Sequence, residues 1–299
     1  MNYLLDTDIG PDCDDAAALA LAVCYARRHG NKLLAVTHCT SSPWGAGAIR
    51  AILDWYGAKN VPVGTLKEPG FLTGPEYERY NRALAESISS AAREAEESTR
   101  LLRRTLAAQS DASAEFIAIG PLKNLANLLA SGADEYSPLP GRELVARKVT
   151  RLTLMAGNFA PGCDSAEWNV EMDVPAARRV AEDWPGEMVY CGFEVGAQVT
   201  ALREPCSLAP DNPVRRAYKL HSGGNGRFSW DLCTVQWAMD GQPDCYALSP
   251  AGIIEIDGRG VTHWREAQNG QHRFLSLNAD PARIAAAFEQ TLGEQEKHA

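Results

Sequence analysis

Short apolar segments alternate with helical segments up to about residue 190, and this alternation is the feature that most restricts the fold. Short apolar runs are typical of buried strands, and the Ala- and Leu-rich stretches between them are typical of helices. Strands are predicted at residues 3–5, 33–37, 61–63, 116–119, 152–155 and 188–190. Helices are predicted at 14–28, 45–56, 122–129 and 174–182, with one or two more within 81–108. Such alternation predicts an α/β fold with an open, mainly parallel sheet and helices on both faces.

The pattern is less regular after residue 209. The predicted elements there are a helix at 213–221, a Gly-rich turn at 223–226, a helix from Asp231, a strand pair at 253–256 and 273–277, and a closing helix at 281–292. Ligands of open parallel sheets bind at the carboxyl ends of the strands. We therefore expect the site at one edge of the sheet, lined by the loops after Leu5, Thr37, Ile119, Met155 and Tyr190.

Length and charge restrict the domain organisation and the partners. A chain of 299 residues is within the range of a single α/β domain, and we expect residues 1–299 to form one. The formal net charge is -9 and the sequence pI is about 5.2. An acidic chain repels phosphate backbones, so nucleic acid is not an expected partner. No uncharged apolar stretch approaches the length that spans a bilayer, so we expect no membrane partner.

The cysteines and the N-terminus indicate a compartment. The eight cysteines are scattered and form no C-x-x-C pair, which is typical of free thiols in a reducing environment. The first residues have no basic segment and only a short apolar run, so they are interpreted as a strand and not as a signal peptide. These features predict a cytoplasmic protein.

Five aspartates lie within ten residues directly after the first predicted strand: Asp6, Asp8, Asp12, Asp14 and Asp15. Five like charges repel one another unless a cation lies among them. Ligands that are all oxygen suit Ca²⁺ or Mg²⁺, and no His or Cys cluster indicates zinc. A solvated turn in which Asp12 or Asp14 caps the next helix is the other interpretation, although a cap requires one aspartate only. The loop predicts a metal site.

Two other classes of protein share parts of this loop. In an EF-hand numbered from Asp6, Gly10 falls at position five and Ala17 at position twelve, where glutamate is required, so an EF-hand is excluded. A D-x-D phosphatase uses two aspartates at a strand end as nucleophile and acid, and Asp6-Thr7-Asp8 fits that core. The three later aspartates have no role in a phosphatase of this kind.

Four later segments carry further polar residues in a recognisable order. They are Ala118-Ile119-Gly120-Pro121-Leu122-Lys123-Asn124-Leu125-Ala126, then Met155-Ala156-Gly157-Asn158 followed by Glu167-Trp168-Asn169 and Asp173, then Gly192-Phe193-Glu194-Val195-Gly196, and finally Ser229-Trp230-Asp231. With the D-T-D-x-G-x-D-x-D-D pattern of the acidic loop, they resemble the inosine–uridine-preferring nucleoside hydrolase family from about residue 3 to 240. Each segment alone is a modest signal, and five in order are specific.

The resemblance implies a metal centre and a general base. Asp8 is implied to be both a metal ligand and the base that takes a proton from the attacking water. Asp15, the backbone carbonyl of Ile119 and Asp231 are the other implied ligands, and Ca²⁺ is the implied metal. Breaking a glycosidic C–N bond gives an oxocarbenium-like centre, so water held and partly deprotonated beside that carbon suits the reaction.

The resemblance also implies a ribose site and an assembly. Asp14, Glu167 and Asn169 are implied to bind ribose hydroxyls, and Asn158 is a further candidate for substrate binding. Glu167 and Asn169 are two residues apart and would face the same side of an extended segment. A solvated Glu in a loop is the other interpretation. Members of the family form homodimers or homotetramers, so a homo-oligomer is expected.

The sequence departs from the family pattern near the expected nucleobase. Trp230 stands where the best-studied branch has a histidine that protonates the leaving base, and an indole N–H cannot transfer a proton at neutral pH. Trp230 can stack on the base or belong to the core. The Asn that often follows the second strand is absent, and His38 lies there as a candidate acid or orienting donor. His221 is a weaker candidate acid, and Ile119 replaces the usual Thr.

These features predict a calcium-dependent enzyme that hydrolyses the N-glycosidic bond of a ribonucleoside to ribose and free base. The ribose and metal residues match the family, and the nucleobase residues do not. Two alternatives therefore stay open beside the phosphatase: a non-catalytic relative that binds ribosyl compounds, and a hydrolase of another ribosyl compound. A base such as Asp8 is not needed by a binding protein.

Overall fold

A computed structural model of the chain describes residues 1–90, 93–240 and 244–296. Its strands are β1 (Asn2–Thr7), β2 (Lys32–His38), β3 (Val63–Thr65), β4 (Glu96–Glu97), β5 (Ala114–Ala118), β6 (Val149–Met155), β7 (Glu187–Cys191), β8 (Thr200–Arg203), β9 (Asn225–Phe228), β10 (Tyr246–Leu248), β11 (Gly252–Ile256), β12 (Thr262–Glu266) and β13 (His272–Leu277). The main sheet has the order β12-β11-β13-β7-β6-β5-β1-β2-β3-β4, with β10 beside β13, and β8 pairs with β9 separately.

The pairing from β13 to β4 is parallel, and among the described residues only β10, β11 and β12 join the main sheet antiparallel. The helices are α1 (Asp14–Arg28), α2 (Gly45–Trp55), α3 (Asn81–Ala85), α4 (Ser98–Ala107), α5 (Lys123–Ala130), α6 (Gly141–Lys148), α7 (Trp168–Glu171), α8 (Val174–Asp183), α9 (Phe193–Gly196), α10 (Pro213–Ser222), α11 (Trp230–Asp240) and α12 (Pro281–Glu296), and Pro75–Tyr77 forms a 3₁₀ turn. The open, mainly parallel sheet predicted from the sequence is confirmed.

Two apolar layers cover the faces of the sheet. Neighbouring strand residues point to opposite faces, so Leu5 packs with α1, α2 and α11 while Leu4 packs with α4, α5 and α8. Helix α1 is buried from Asp14 to Ala26, because α11, α12 and α2 pack around it and its alanines permit close approach. The burial of α1 brings two carboxylates of its first turn inside the protein.

Several predicted elements differ from the structure in position or number. The stretch 81–108 contains two helices, and α4 begins at Ser98 because the Glu97 side chain accepts the backbone N–H groups of Thr99 and Arg100. The strand predicted at 61–63 begins at Val63. The strand predicted at 253–256 pairs along its length with β12, which was not predicted, and meets β13 only at Gly252.

Two further features bear on the predictions from composition. All eight cysteines are free, as their scattered spacing predicts. None of the helices in the described ranges has both the length and the apolar character needed to cross a membrane.

Candidate active site

A cavity of about 520 Å³ opens at the carboxyl ends of β1, β5 and β6. The loop after β1 and the first turn of α1 supply one wall, and the segment from α10 to α11 supplies another. Nine of the residues predicted from the sequence line it: Asp8, Asp14, Asp15, Ile119, Glu167, Asn169, His221, Trp230 and Asp231. The cavity therefore joins residues from the first and last thirds of the chain at the edge where parallel sheets bind ligands.

A cluster of buried carboxylates occupies this cavity. Oxygens of Asp14, Asp15 and Asp231 lie within 4.8 Å of one another. Asp8 is also buried and lies close enough to raise the pKa of Asp15, whose carboxylate accepts the hydroxyl of Thr7. The backbone N–H of Asp231 donates to Asp14 at 3.0 Å, which joins the start of α11 to the start of α1.

The cluster has an excess of negative charge. Burial raises the pKa of Asp8 to about 8. Burial, and then the neighbouring carboxylates, also raise the pKa of Asp14, Asp15 and Asp231 well above the usual range. Within the described ranges, no Lys or Arg forms an ion pair with any of the four. Four buried carboxyl groups without a paired cation, all oxygen donors, fit a hard divalent ion such as Ca²⁺ or Mg²⁺.

The geometric triad differs in one member from the ligand set that the sequence implies. It contains Asp14, to which the resemblance assigns a ribose contact, and it leaves out Asp8. Ile119, whose backbone carbonyl is an implied metal ligand, also lines the cavity. Asp14 belongs to the triad, and Asp8 interacts electrostatically with Asp14 and Asp15, so both are close enough to the cluster to share its cation or the sugar beside it.

The structure does not support the alternative in which this loop is a helix cap. The residue before α1 is Cys13, and no side chain caps the helix there. Asp12 instead forms a bidentate ion pair with Arg227 of β9. Asp231 is not a helix cap either, because it lies inside the first turn of α11.

The phosphatase alternative is wrong, because Asp6 does not line the cavity. The Asp6 side chain is fully buried, and its Oδ1 accepts hydrogen bonds from the Thr37 hydroxyl and, at 2.8 Å, from the Asn124 amide. Burial raises the pKa of Asp6 to about 7. A nucleophile must be free to attack, and this carboxyl group holds β1, β2 and α5 together.

Glu167 and Asn169 both line the cavity, but the backbone between them is not extended. Residues Trp168–Glu171 form the short helix α7, and Glu167 caps it by accepting the N–H groups of Asn169 and Val170. Glu167 also accepts the N–H of Gly157, and burial raises its pKa to about 7. The Asn169 amide donates to the Met155 carbonyl at 3.0 Å. A solvated Glu is thus excluded, and both side chains are held in place.

Two predicted substrate contacts lie outside the cavity. Burial lowers the pKa of His38 to about 3, and the ring is fully enclosed between the hydroxyls of Thr40 and Thr65. A neutral, enclosed imidazole is neither an acid nor a donor for a ligand. The Asn158 side chain accepts the N–H of Ala160 and does not reach the cavity.

Aromatic side chains form the rim near Trp230. The Trp230 ring lies 5.4 Å from both Phe193 and Phe228, measured between centroids, and its indole N–H donates to the Phe193 carbonyl at 2.9 Å. Trp168 also lines the cavity and is about a third exposed, at 36%. Trp230 is therefore not an ordinary core residue, since it lines the cavity.

Basic residues on this side of the cavity were not predicted, apart from His221. Arg79, Arg227 and His221 all line it. Arg227 lies between the Gly-rich turn and the Ser229-Trp230-Asp231 segment, and neither signal singles out the arginine itself. The sequence does not show that either arginine lies near the aspartates. Arg79 is 67 positions from Asp12 along the chain (79 minus 12), and Arg227 is 215 positions from it (227 minus 12).

The comparison with known families agrees with this geometry. A family model described as inosine-uridine preferring nucleoside hydrolase matches residues 3–283. The chain belongs to the inosine-uridine preferring nucleoside hydrolase family. The family is metal-dependent, and its members are glycosidases that act on nucleosides. No curated protein matches the chain in sequence.

Solved structures of similar fold include several nucleoside hydrolases. An inosine-uridine preferring nucleoside hydrolase from Bacillus anthracis is 20% identical with a TM-score of 0.70, over 98% of this chain and 99% of that one. A purine-preferring ribonucleoside hydrolase from Gardnerella vaginalis is 17% identical with a TM-score of 0.75, over 100% of both chains. The type III effector protein XopQ, complexed with adenosine diphosphate ribose, is 13% identical with a TM-score of 0.76, over 99% and 94%.

In this nucleoside hydrolase, Gly120 lies where the loop after β5 passes the general base expected from the sequence. A Cβ at Gly120 would lie 2.8 Å from the Asp8 backbone nitrogen, the Asp8 Oδ1 and the Cys39 sulfur. We expect Gly120→Ala to displace Asp8 and to lower kcat by about 10²-fold, since small displacements of reacting groups have effects of this size. Gly132→Ala is the matched control, because its Cβ would meet no atom of the described residues within 4 Å. Steady-state kinetics of both variants check this, and equal activities would contradict it.

Proposed function

We propose that this chain hydrolyses the N-glycosidic bond of ribonucleosides with Ca²⁺ as cofactor and Asp8 as general base. The observation that carries the proposal is the convergence of Asp8 with Asp14, Asp15 and Asp231, all buried, in one cavity. Family membership supports the reaction type. Oxygen donors without a paired cation support Ca²⁺, whose site accepts many carboxylate ligands.

The residues of the cavity divide into metal ligands and sugar contacts. Asp8, Asp15, Asp231 and the Ile119 carbonyl would hold the cation, which supplies Lewis acidity that lowers the pKa of water. Asp8 accepts a proton from the attacking water as the oxygen approaches the anomeric carbon. Hydrolysis then requires the sugar to be held with that carbon facing Asp8.

Three fixed side chains suit the ribose. Asp14, Glu167 and Asn169 line the cavity, and each is held by backbone hydrogen bonds, so little freedom is lost when a sugar binds. Glu167 and Asp14 accept hydrogen bonds from hydroxyls, and Asn169 has a carbonyl oxygen for the same purpose. An acidic, polar pocket suits an uncharged sugar with several hydroxyl groups.

The aromatic rim suits a nucleobase. Trp230 and Trp168 offer flat apolar surfaces, and stacking of a base on an aromatic ring contributes about 1–3 kcal/mol. Of the similar proteins named above, one nucleoside hydrolase is purine-preferring and another is inosine-uridine preferring. We therefore propose purine and pyrimidine ribonucleosides as the substrate class.

We further propose one domain over residues 1–299, a cytoplasmic location and a homodimer or homotetramer. Strands from residue 2 to residue 277 belong to the same main sheet, which supports one domain. Eight free thiols support a reducing compartment. The oligomeric state rests on the resemblance to the family alone.

A reducing-sugar assay with a panel of purine and pyrimidine ribonucleosides tests the function. We expect ribose release in Ca²⁺, loss of release with a chelator, and recovery when Ca²⁺ is restored. Ribosyl compounds with other leaving groups belong in the same panel. If Ca²⁺ binds but no compound releases ribose, the proposed hydrolase is contradicted in favour of a binding protein.

A further inference from the structure

Cleavage of the C–N bond leaves its electron pair on the departing base. Negative charge therefore develops on that base unless a donor meets it. The Trp230 indole N–H is not available for this purpose, because it already donates to the Phe193 carbonyl at 2.9 Å. The carboxylates of the cavity accept hydrogen bonds and cannot stabilise an anion. Another side chain has to supply the donor.

His221 lines the cavity but does not present a proton to it. Its Nε2 lies 3.1 Å from the Pro11 carbonyl, 3.8 Å from Asp12 and 3.5 Å from Arg79, so the protonated nitrogen of the neutral ring donates to Pro11. Its Nδ1 is enclosed and has no hydrogen-bond partner among the described residues. Tyr80 packs edge-on against the ring. Burial lowers the pKa of His221, which keeps the ring neutral at pH 7.

Arg227 lines the cavity with hydrogen-bond donors to spare. Its Nε lies 2.9 Å from both oxygens of Asp12, and its Nη2 also donates to Asp12. In the described part of the chain, its Nη1 forms no hydrogen bond. The guanidinium carbon lies 5.1 Å from the centroid of the Trp230 ring. A fixed cation with a free N–H₂ group thus lies beside the aromatic rim.

We propose that Arg227 is the catalytic residue that stabilises the departing base, by donating a hydrogen bond from Nη1 to the base as the C–N bond breaks. This inference rests on the proposed function. The water oxygen forms the new bond to the anomeric carbon, and the electron pair of the C–N bond goes to the base. The water proton goes to Asp8, and the base takes a proton from solvent after release. No general acid is required.

The ion pair gives Asp12 a role in the acidic loop. Asp12 does not belong to the carboxylate triad, but it accepts hydrogen bonds from both Nε and Nη2 of Arg227 and so holds the guanidinium in one orientation. A donor that is held in place before the reaction stabilises developing charge best. Arg79 is a poorer candidate. Its side chain is exposed, and its one described hydrogen bond is the 3.5 Å contact with His221.

Substrates with different leaving groups test this role. For Arg227→Met, we expect kcat on inosine and uridine to fall by about 10²–10³-fold, the usual effect of removing one preorganised donor. The 4-nitrophenyl riboside leaves as a stable phenolate, so its kcat is expected to change by less than about threefold. Added guanidinium is expected to restore part of the inosine activity of Arg227→Ala, which a purely structural defect would not permit.

Arg215→Met is the matched control. Arg215 forms a similar bidentate ion pair with Glu204, at 2.6 and 2.8 Å, and does not line the cavity, so both substrates are expected to retain wild-type rates. Arg227→Met leaves the Asp12 carboxylate without its partner, and the double variant Asp12→Asn/Arg227→Met removes that charge. We expect the double variant still to lose activity on inosine and to keep it on the 4-nitrophenyl riboside. Equal losses on both substrates would overturn the role of Arg227. Absence of wild-type ribose release would instead contradict the proposed function.

Discussion

Asp8→Asn is expected to lower kcat for ribonucleosides by about 10²–10⁴-fold, the usual contribution of a general base. Asparagine keeps the size of the side chain but cannot take a proton from water. Because Asp8 is also a proposed metal ligand, the measurement belongs at saturating Ca²⁺, where weaker metal binding does not limit the rate. Ribose release under these conditions measures the loss.

Asp111→Asn is the control for Asp8→Asn. Asp111 is exposed, pairs with Lys148 and Arg147, and lies outside the cavity, so its replacement is expected to leave kcat unchanged. Wild-type kcat for Asp8→Asn at saturating Ca²⁺ would show that the base is another group.

Ca²⁺ is expected to raise the thermal stability of the chain, and to raise it more at pH 8 than at pH 5. Burial raises the pKa of Asp8 to about 8 and raises that of Asp14, Asp15 and Asp231 as well. In chelator, the folded chain therefore holds protons that the unfolded chain has lost. The free energy of unfolding then falls as the pH rises from about 4, the pKa of an unfolded aspartate, through about 8.

Ca²⁺ replaces those protons and removes this decline. At a free Ca²⁺ concentration about 100 times the Kd, binding adds about 2.7 kcal/mol to the free energy of unfolding. For a chain of this size, that corresponds to a rise in Tm of roughly 4 °C. Thermal denaturation at several pH values, with Ca²⁺ and with a chelator, measures the effect without any substrate.

Asp231→Asn supplies the comparison for the stability measurement. This variant lacks one carboxylate of the triad, so we expect a smaller Ca²⁺-induced rise in Tm and a shallower decline with pH in chelator. A wild-type Tm that is the same in Ca²⁺ and in chelator at pH 8 would contradict a calcium site at this cluster.

The aspartate loop and the fold class could be predicted because their signals are local. Hydrophobic periodicity marks β1 and α1 directly, and five like charges in the short loop that joins them indicate a bound cation. The two helices within 81–108 were harder to bound, because Glu97 starts α4 through a cap and not through an apolar pattern. β12 was missed because its polar residues, Thr262–Glu266, resemble a loop.

The site residues likewise divide into those that a local sequence pattern reveals and those whose position depends on the tertiary structure. Residues that match a family segment, such as Asp8 and Glu167, were found from the sequence and do line the cavity. His38 also lies at the end of a strand, but its ring turns into the protein beside Gly45, and a sequence pattern does not report which way a side chain turns. Asp6 was a candidate nucleophile because it lies near the end of β1, and its side chain likewise turns into the protein, where it accepts a hydrogen bond from Asn124.

The sequence alone determined the α/β class, the acidic loop and the match to a nucleoside hydrolase, because each depends on residues that are near one another along the chain. Only the tertiary structure decided which aspartates share the cavity, that Asp12 pairs with Arg227, and that Trp230 uses its N–H on Phe193. These contacts join residues more than 30 positions apart, as for Asp12 and Arg227 at 215 (227 minus 12). They form because α10 and α11 pack beside α1, β9 packs on α10 and α9 packs on α11, and packing between distant segments has no local signature.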